Sequence, residues 1–180
     1  MTSKRETFTI WMKSLVYQAN GCTVYNTTGD IVYRVDNYDK KGSSEVYLMD
    51  LRGKVLFTMK RKKLLAFGSW EGYRLSCPGI NYKEKPWFRV QRCYRMIKGD
   101  LACQITVGYN KLRIVRLAVG KGAFGIMDID GQIVAEAKPK QSSSGVRLGD
   151  DVLTLVVEPQ MDHSLIMAIV VVYGLIRHRM

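Results

Sequence analysis

The chain has 180 residues, 47% hydrophobic and 10% aromatic, which excludes a disordered segment and is long enough to bury one full core. Its net charge of +12 excludes an acidic scaffold, and four scattered cysteines with only two histidines lack the clustered spacing of a zinc site. Cys22, Cys77, Cys93 and Cys103 are therefore read as free thiols in a reducing compartment, cytoplasmic or nuclear, with no cofactor.

The first apolar run, inside "MTSKRETFTIWMKSLVY", is interrupted by Lys13. It is read as a strand over Phe8–Met12 and not as a signal peptide. Three later segments resemble one another: Thr23–Asp36, Val46–Lys60 and Phe124–Lys138. Each is a β-branched or aromatic run, a polar turn holding Gly29, Gly53 or Gly131, and a second such run. Apolar residues alternate around the turns, as in Val46 and Leu48, then Val55, Phe57 and Met59, which is the period of half-buried hairpins. Leu64–Phe67, Tyr73–Ser76, Trp87–Arg92, Ala102–Val107, Leu112–Ala118 and Val152–Val157 follow the same pattern. About a dozen short strands indicate an antiparallel sandwich or barrel.

The tail "DHSLIMAIVVVYGLIRHRM" departs from that rhythm. Pro159 ends the last strand, and Asp162 suits a helix N-cap. Leu165–Ile176 would make about 18 Å of helix, against the roughly 30 Å of a bilayer core. A helix apolar on every side belongs inside a protein. The expected fold is a mainly β, closed antiparallel barrel of about twelve strands. It encloses a helix over 162–176, whose core positions are Leu165, Ile166, Ile169, Val170 and Val172. The whole chain, 1–180, is read as a single domain and a monomer without a transmembrane span.

The charge is uneven. Residues 52–63 hold six cations and no carboxylate, and residues 83–121 hold ten cations against two carboxylates. Such asymmetry points to an anionic partner: lipid head groups, an acidic membrane or nucleic acid. The densest run is Lys60-Arg61-Lys62-Lys63. In a strand, Lys60 and Lys62 share one face while Arg61 and Lys63 share the other. The expected phosphate site uses Arg61 with Lys63, supported by Lys60 and Lys62 and joined by a cation from a neighbouring strand. The competing reading is that the run guards a sheet edge or only aids solubility.

No residue set specifies a reaction. His163 beside Asp162 lacks a nucleophile at readable spacing and fits a structural role at the helix entrance. Asp128 and Asp130 are better explained by a hairpin turn than by a bound cation. Gly120-Lys121-Gly122 lacks the spacing of a phosphate loop. Trp11, Trp70 and Trp87 suit the core or rim of a barrel.

The segments "TIWMKSLVY", "GDIVYRVDNY", "EVYLMDLRGKVL", "RKKL" and "MDHSLIMAIVVV" together resemble the LURP-one-related family of plants. They span most of the chain from about Thr7. The resemblance implies the fold of the tubby C-terminal domain, a twelve-stranded barrel around a hydrophobic helix, shared with phospholipid scramblases. Some family members are linked to defence against pathogens. Tubby proteins bind phosphoinositides and are thought to act as membrane-tethered transcription regulators, but their lipid motif is not matched here residue by residue. The calcium-binding and palmitoylation patterns of scramblases are not visible either. The expectation is a non-enzymatic module that docks anionic phosphoinositide head groups, peripheral at the plasma membrane. The alternative is a regulatory factor that binds DNA or a protein.

Overall fold

The computed structural model describes residues 3–12, 21–36, 45–62, 69–74, 85–93, 101–118, 122–149 and 151–177. The strands are β1 (Glu6–Trp11), β2 (Cys22–Tyr25), β3 (Ile31–Asp36), β4 (Glu45–Asp50), β5 (Val55–Lys62) and β6 (Ser69–Arg74). They continue with β7 (Phe88–Arg92), β8 (Leu101–Val107), β9 (Asn110–Arg116), β10 (Phe124–Met127), β11 (Ile133–Pro139) and β12 (Val152–Val157). The last element is the helix α1 (His163–Ile176). Each strand pairs antiparallel with its sequence neighbour, and β1 closes the ring on β12, with Glu6 opposite Val157 and Trp11 opposite Val152. Closure leaves no sheet edge to guard.

Alternation sorts the side chains. Val46 and Leu48 of β4 and Phe57 and Met59 of β5 are buried inside the ring, while Glu45, Tyr47 and Lys60 face out. Three hairpins share one turn, Asn26-Thr27-Thr28-Gly29, Asp50-Leu51-Arg52-Gly53 and Asp128-Ile129-Asp130-Gly131. The first side chain holds the turn by accepting backbone N–H groups. Asn26 Oδ1 takes those of Thr28 and Asp30 at 3.0 and 2.8 Å, and Asp50 Oδ1 takes those of Arg52 and Lys54 at 2.9 Å. Asp128 Oδ1 takes that of Gln132 at 2.8 Å. The fourth residue lies at positive φ, +89° for Gly29, +78° for Gly53 and +84° for Gly131, which only glycine adopts at little cost. A register slip adjoins each turn, the bulge expected of a three-residue hairpin loop closed by glycine. The turns are visible in the sequence; the bulges are not.

The helix fills the ring. Asp162 caps it, accepting the N–H groups of Ser164 at 3.0 Å and Leu165 at 3.2 Å. Every residue from Leu165 to Gly174 is buried, including Ile166, Ile169, Val170 and Val172. Against it pack Phe124, whose ring meets Tyr173 edge-on at 4.6 Å, and the inward residues of all twelve strands. Among the described residues no helix is long and apolar enough to cross a membrane.

Two strand placements need correction. The sequence predicts a strand over Tyr73–Ser76, but β6 runs earlier, over Ser69–Arg74; Gly72 and Arg74 take inward positions and Tyr73 an outward one, which breaks the apolar alternation. β5 continues past Lys60 through Lys62, so the cation run sits within the sheet rather than after it. The expected strand Leu64–Phe67, and Lys63, lie outside the described residues.

Candidate anion-docking face

Five successive staves, β5 to β9, carry five cations of the basic stretches onto one outer face. Lys60 lies opposite Glu71, Glu71 opposite Arg89, Arg89 opposite Thr106 and Thr106 opposite Lys111. On the next outward rung Lys62 lies opposite Ser69, followed across the sheet by Gln91, Gln104 and Arg113. Five cations from 52–63 and 83–121 thus share two rungs, which the sequence alone could not establish.

Glu71 organises this face. Its side chain is only 7% exposed. Arg89 donates to Oε1 from Nε at 3.0 Å and Nη2 at 2.6 Å, the Tyr73 hydroxyl donates to Oε2, and Lys62 Nζ stands 3.5 Å from Oε2. Burial works to raise the Glu71 pKa, but the bonds from Tyr73 and Arg89 and the charges of Arg89 and Lys62 outweigh it and hold the carboxyl below its usual range. Lys60 sits 3.2 Å from Glu45 and over the Tyr73 ring at 5.8 Å. Lys111 and Arg113 have no ion pair among the described residues, so their charge is fully presented to solvent.

Beside these rungs, between β7 and β8, lies a cleft of about 810 Å³ lined by Lys85, Trp87, Arg89, Gln91, Thr106 and Tyr109. Trp87 is fixed by Arg74, whose guanidinium lies 5.4 Å from the indole, 5.6 Å from the Phe57 ring and 3.3 Å from the carboxylate of Asp162. One arginine therefore ties the cleft wall to the core and to the helix cap. Burial also opposes ionisation of Asp162, yet the bonds from Ser164 and the Leu165 amide, with Arg74, hold its pKa low.

The run Lys60-Arg61-Lys62 is divided as strand geometry dictates. Lys60 and Lys62 belong to the outer face, whereas Arg61 has the inward parity of Phe57 and Met59 and is exposed where β5 ends. Arg61 and the outer rungs therefore start from opposite faces of the sheet, and its expected partner Lys63 is not among the described residues. The outer pair is the one joined by a neighbouring cation, Arg89. Sequence reasoning missed Glu71, Arg89, Lys111, Arg113 and the cleft; period-two spacing within β7 and β9 was the available signal for the cations.

Other candidates take structural places. His163 Nδ1 is 3.5 Å from Glu6, and its ring meets Phe8 edge-on at 5.4 Å. Asp128 and Asp130 lie in the β10–β11 turn. Trp70 is buried, while Trp87 stands at the rim.

A closed twelve-stranded antiparallel barrel plugged by its own C-terminal helix, with cations gathered on one outer face, defines the class of this protein. The LURP-one-related family profile matches residues 6–174, and the chain belongs to that family. It is 51% identical to protein LURP-one-related 4 of Arabidopsis thaliana over 98% of this chain and 81% of that one. It is 46% identical to LURP-one-related 3 of the same plant, over 97% and 81%. The X-ray structure of another Arabidopsis thaliana protein superposes with a TM-score of 0.68 over 98% of this chain and 93% of that one; at 14% identity the likeness is one of fold.

Proposed function

We propose that this LURP-one-related protein is a non-enzymatic docking module whose β5–β9 outer face receives the phosphates of a phosphoinositide head group, tethering it reversibly to a cytoplasmic membrane surface. The observation that carries the reading is the alignment of Lys60, Lys62, Arg89, Lys111 and Arg113 on two adjacent rungs beside an open cleft. Five cations set against the two carboxylates of Glu45 and Glu71 leave a net positive face, which raises the local concentration of a multiply charged anion. Arginine can grip phosphate with two hydrogen bonds, while lysine supplies mobile point charge.

The test is vesicle sedimentation near physiological salt, with and without phosphatidylinositol bisphosphate. Lys111→Glu with Arg113→Glu should abolish binding and leave the melting temperature nearly unchanged, because neither side chain holds an ion pair among the described residues. Arg61→Glu should change binding little, since that side chain belongs to the other face. Loss of binding in the Arg61 variant alone would return the site to Arg61. Equal binding by wild type and double variant, or tighter binding to duplex DNA than to vesicles, would overturn the proposal.

A further inference from the structure

The pole of the barrel at the N-terminus of α1 carries an unusual set of side chains. Leu51 is 64% exposed at the tip of the β4–β5 turn, and Tyr109 is fully exposed at the tip of the β8–β9 turn. Trp87, just before β7, and Ile129, at the tip of the β10–β11 turn, are also exposed. Register places all four at one end, because Phe57 pairs with Arg74, Phe88 with Val107 and Met127 with Arg113. These are the loops that cap the β5–β9 face. On the far side of the same pole the β2–β3 turn offers only Thr27 and Thr28.

Leu51, Tyr109 and Ile129 stand at turn tips, where water-facing residues are ordinarily polar, and Trp87 is half-exposed beside them under the guanidinium of Arg74. Their neighbours are cations: Arg52 and Lys54 beside Leu51, Lys85 beside Trp87, and Lys111 and Arg113 after Tyr109. Asp50 Oδ1 accepts the amides of Arg52 and Lys54, which fixes the β4–β5 turn, and Gly108, at φ +57°, lets two residues reverse the chain so that Tyr109 projects outward. Tryptophan and tyrosine are the residues that favour a lipid interface, apolar in body and polar at the tip.

The geometry points to this pole as a membrane-penetrating surface, with Leu51, Trp87 and Tyr109 entering the head-group region of an anionic bilayer while the β5–β9 cations meet its phosphates. The inference deepens the docking reading and rests on it. It names the lipid surface, and not a soluble inositol phosphate, as the partner, and it fixes the barrel's orientation. Ile129 contributes least, because Asp130 stands beside it.

The experiment uses the full chain with phosphatidylcholine vesicles containing phosphatidylserine and phosphatidylinositol bisphosphate, a set with brominated acyl chains, and free inositol phosphates as competitors. The expected result is a bound fraction that survives raised salt, with tryptophan emission quenched by the brominated lipid. Trp87→Phe should remove most of the quenching, since Trp70 is buried and Trp11, at the end of β1, lies at the opposite pole. Leu51→Ser with Tyr109→Ser should lower the salt-resistant partition by at least about tenfold while the thermal melt is unchanged. Binding that is wholly reversed by salt and unquenched would overturn penetration and leave head-group docking standing. Binding equally strong to neutral vesicles would overturn the anionic docking and keep penetration. Absence of binding to any vesicle, or a dimer in solution that the Leu51 and Tyr109 changes abolish, would overturn both.

Discussion

The Cα of Gly72 lies directly beneath the ring of Phe88. A β-carbon placed there would come within 2.0 Å of the ring, closer than any packed pair allows. Gly72 is paired with Phe88 across β6 and β7, and Phe88 meets Phe57 edge-on at 5.7 Å beside the helix, so the ring has little room to withdraw. Gly72→Ala should destabilise the barrel by about 1–3 kcal/mol, the usual cost of overpacking. Chemical denaturation would check it, and Gly72→Ala with Phe88→Leu should recover part of the loss.

Glu71 is the internal counter-ion of the docking face. Glu71→Gln should weaken folding by about 1–2 kcal/mol, in the range of a hydrogen bond to a charged group. It should also tighten binding to anionic vesicles, because Arg89 and Lys62 are then released to the ligand. The carboxyl is held below its ordinary value of about 4.3, so its stabilisation is complete above that pH and drains away as pH falls through the folded value. The stability difference between wild type and Glu71→Gln should therefore be constant at neutral pH and shrink in acid. A difference that grows in acid would contradict the network.

At the helix entrance, Asp162→Ala removes the cap and the partner of Arg74. The expected loss is about 1 kcal/mol, at the centre of measured cap substitutions. Its acid dependence has the same sign as that of Glu71, for the same reason. Hydrogen exchange should quicken first at the amides of Ser164 and Leu165.

Ile169 is fully buried at the centre of α1. Ile169→Asp would place a carboxylate where nothing polar can reach it, at a cost of several kcal/mol. The variant should be insoluble or unfolded. A soluble, cooperatively melting Ile169→Asp protein would show that the helix is not the core.

The thiols offer a probe that needs no substitution. Burial pushes the thiols of Cys22 and Cys103 up to about 12, while the partly exposed Cys93 is raised less, chiefly by burial. Among these three, native alkylation should label Cys93 first, and the other two should react only as the barrel opens.

What the sequence disclosed was local. The helix was legible because twelve consecutive positions lack charge, and the three hairpins because Gly29, Gly53 and Gly131 each stand in a polar turn between two apolar, alternating runs. What it hid depends on partners distant in the chain. Gly72 and Arg74 hold inward positions of β6 and Tyr73 an outward one, so its apolar alternation stops after Glu71. The match of Lys60 with Glu45, and of Glu71 with Arg89, exists only once the staves are in register. The spacing within Lys60-Arg61-Lys62 foretold that the cations would divide, but not that Arg89 would join the outer pair. Tyr109 falls between the expected strands Ala102–Val107 and Leu112–Ala118; the signal that it is a tip was the glycine immediately before it.

The order of the elements has a consequence for how the chain must come together. A ribosome delivers the wall first and its filling last. Until α1 emerges, Phe57, Phe88 and Phe124 have no interior to bury into, and β1 waits for β12 with its hydrogen-bonding groups unpaired. Folding of this ring is thus held back until α1 has been made, and a polypeptide halted before β12 is an open sheet with two adhesive edges, the form in which such chains join one another instead of themselves.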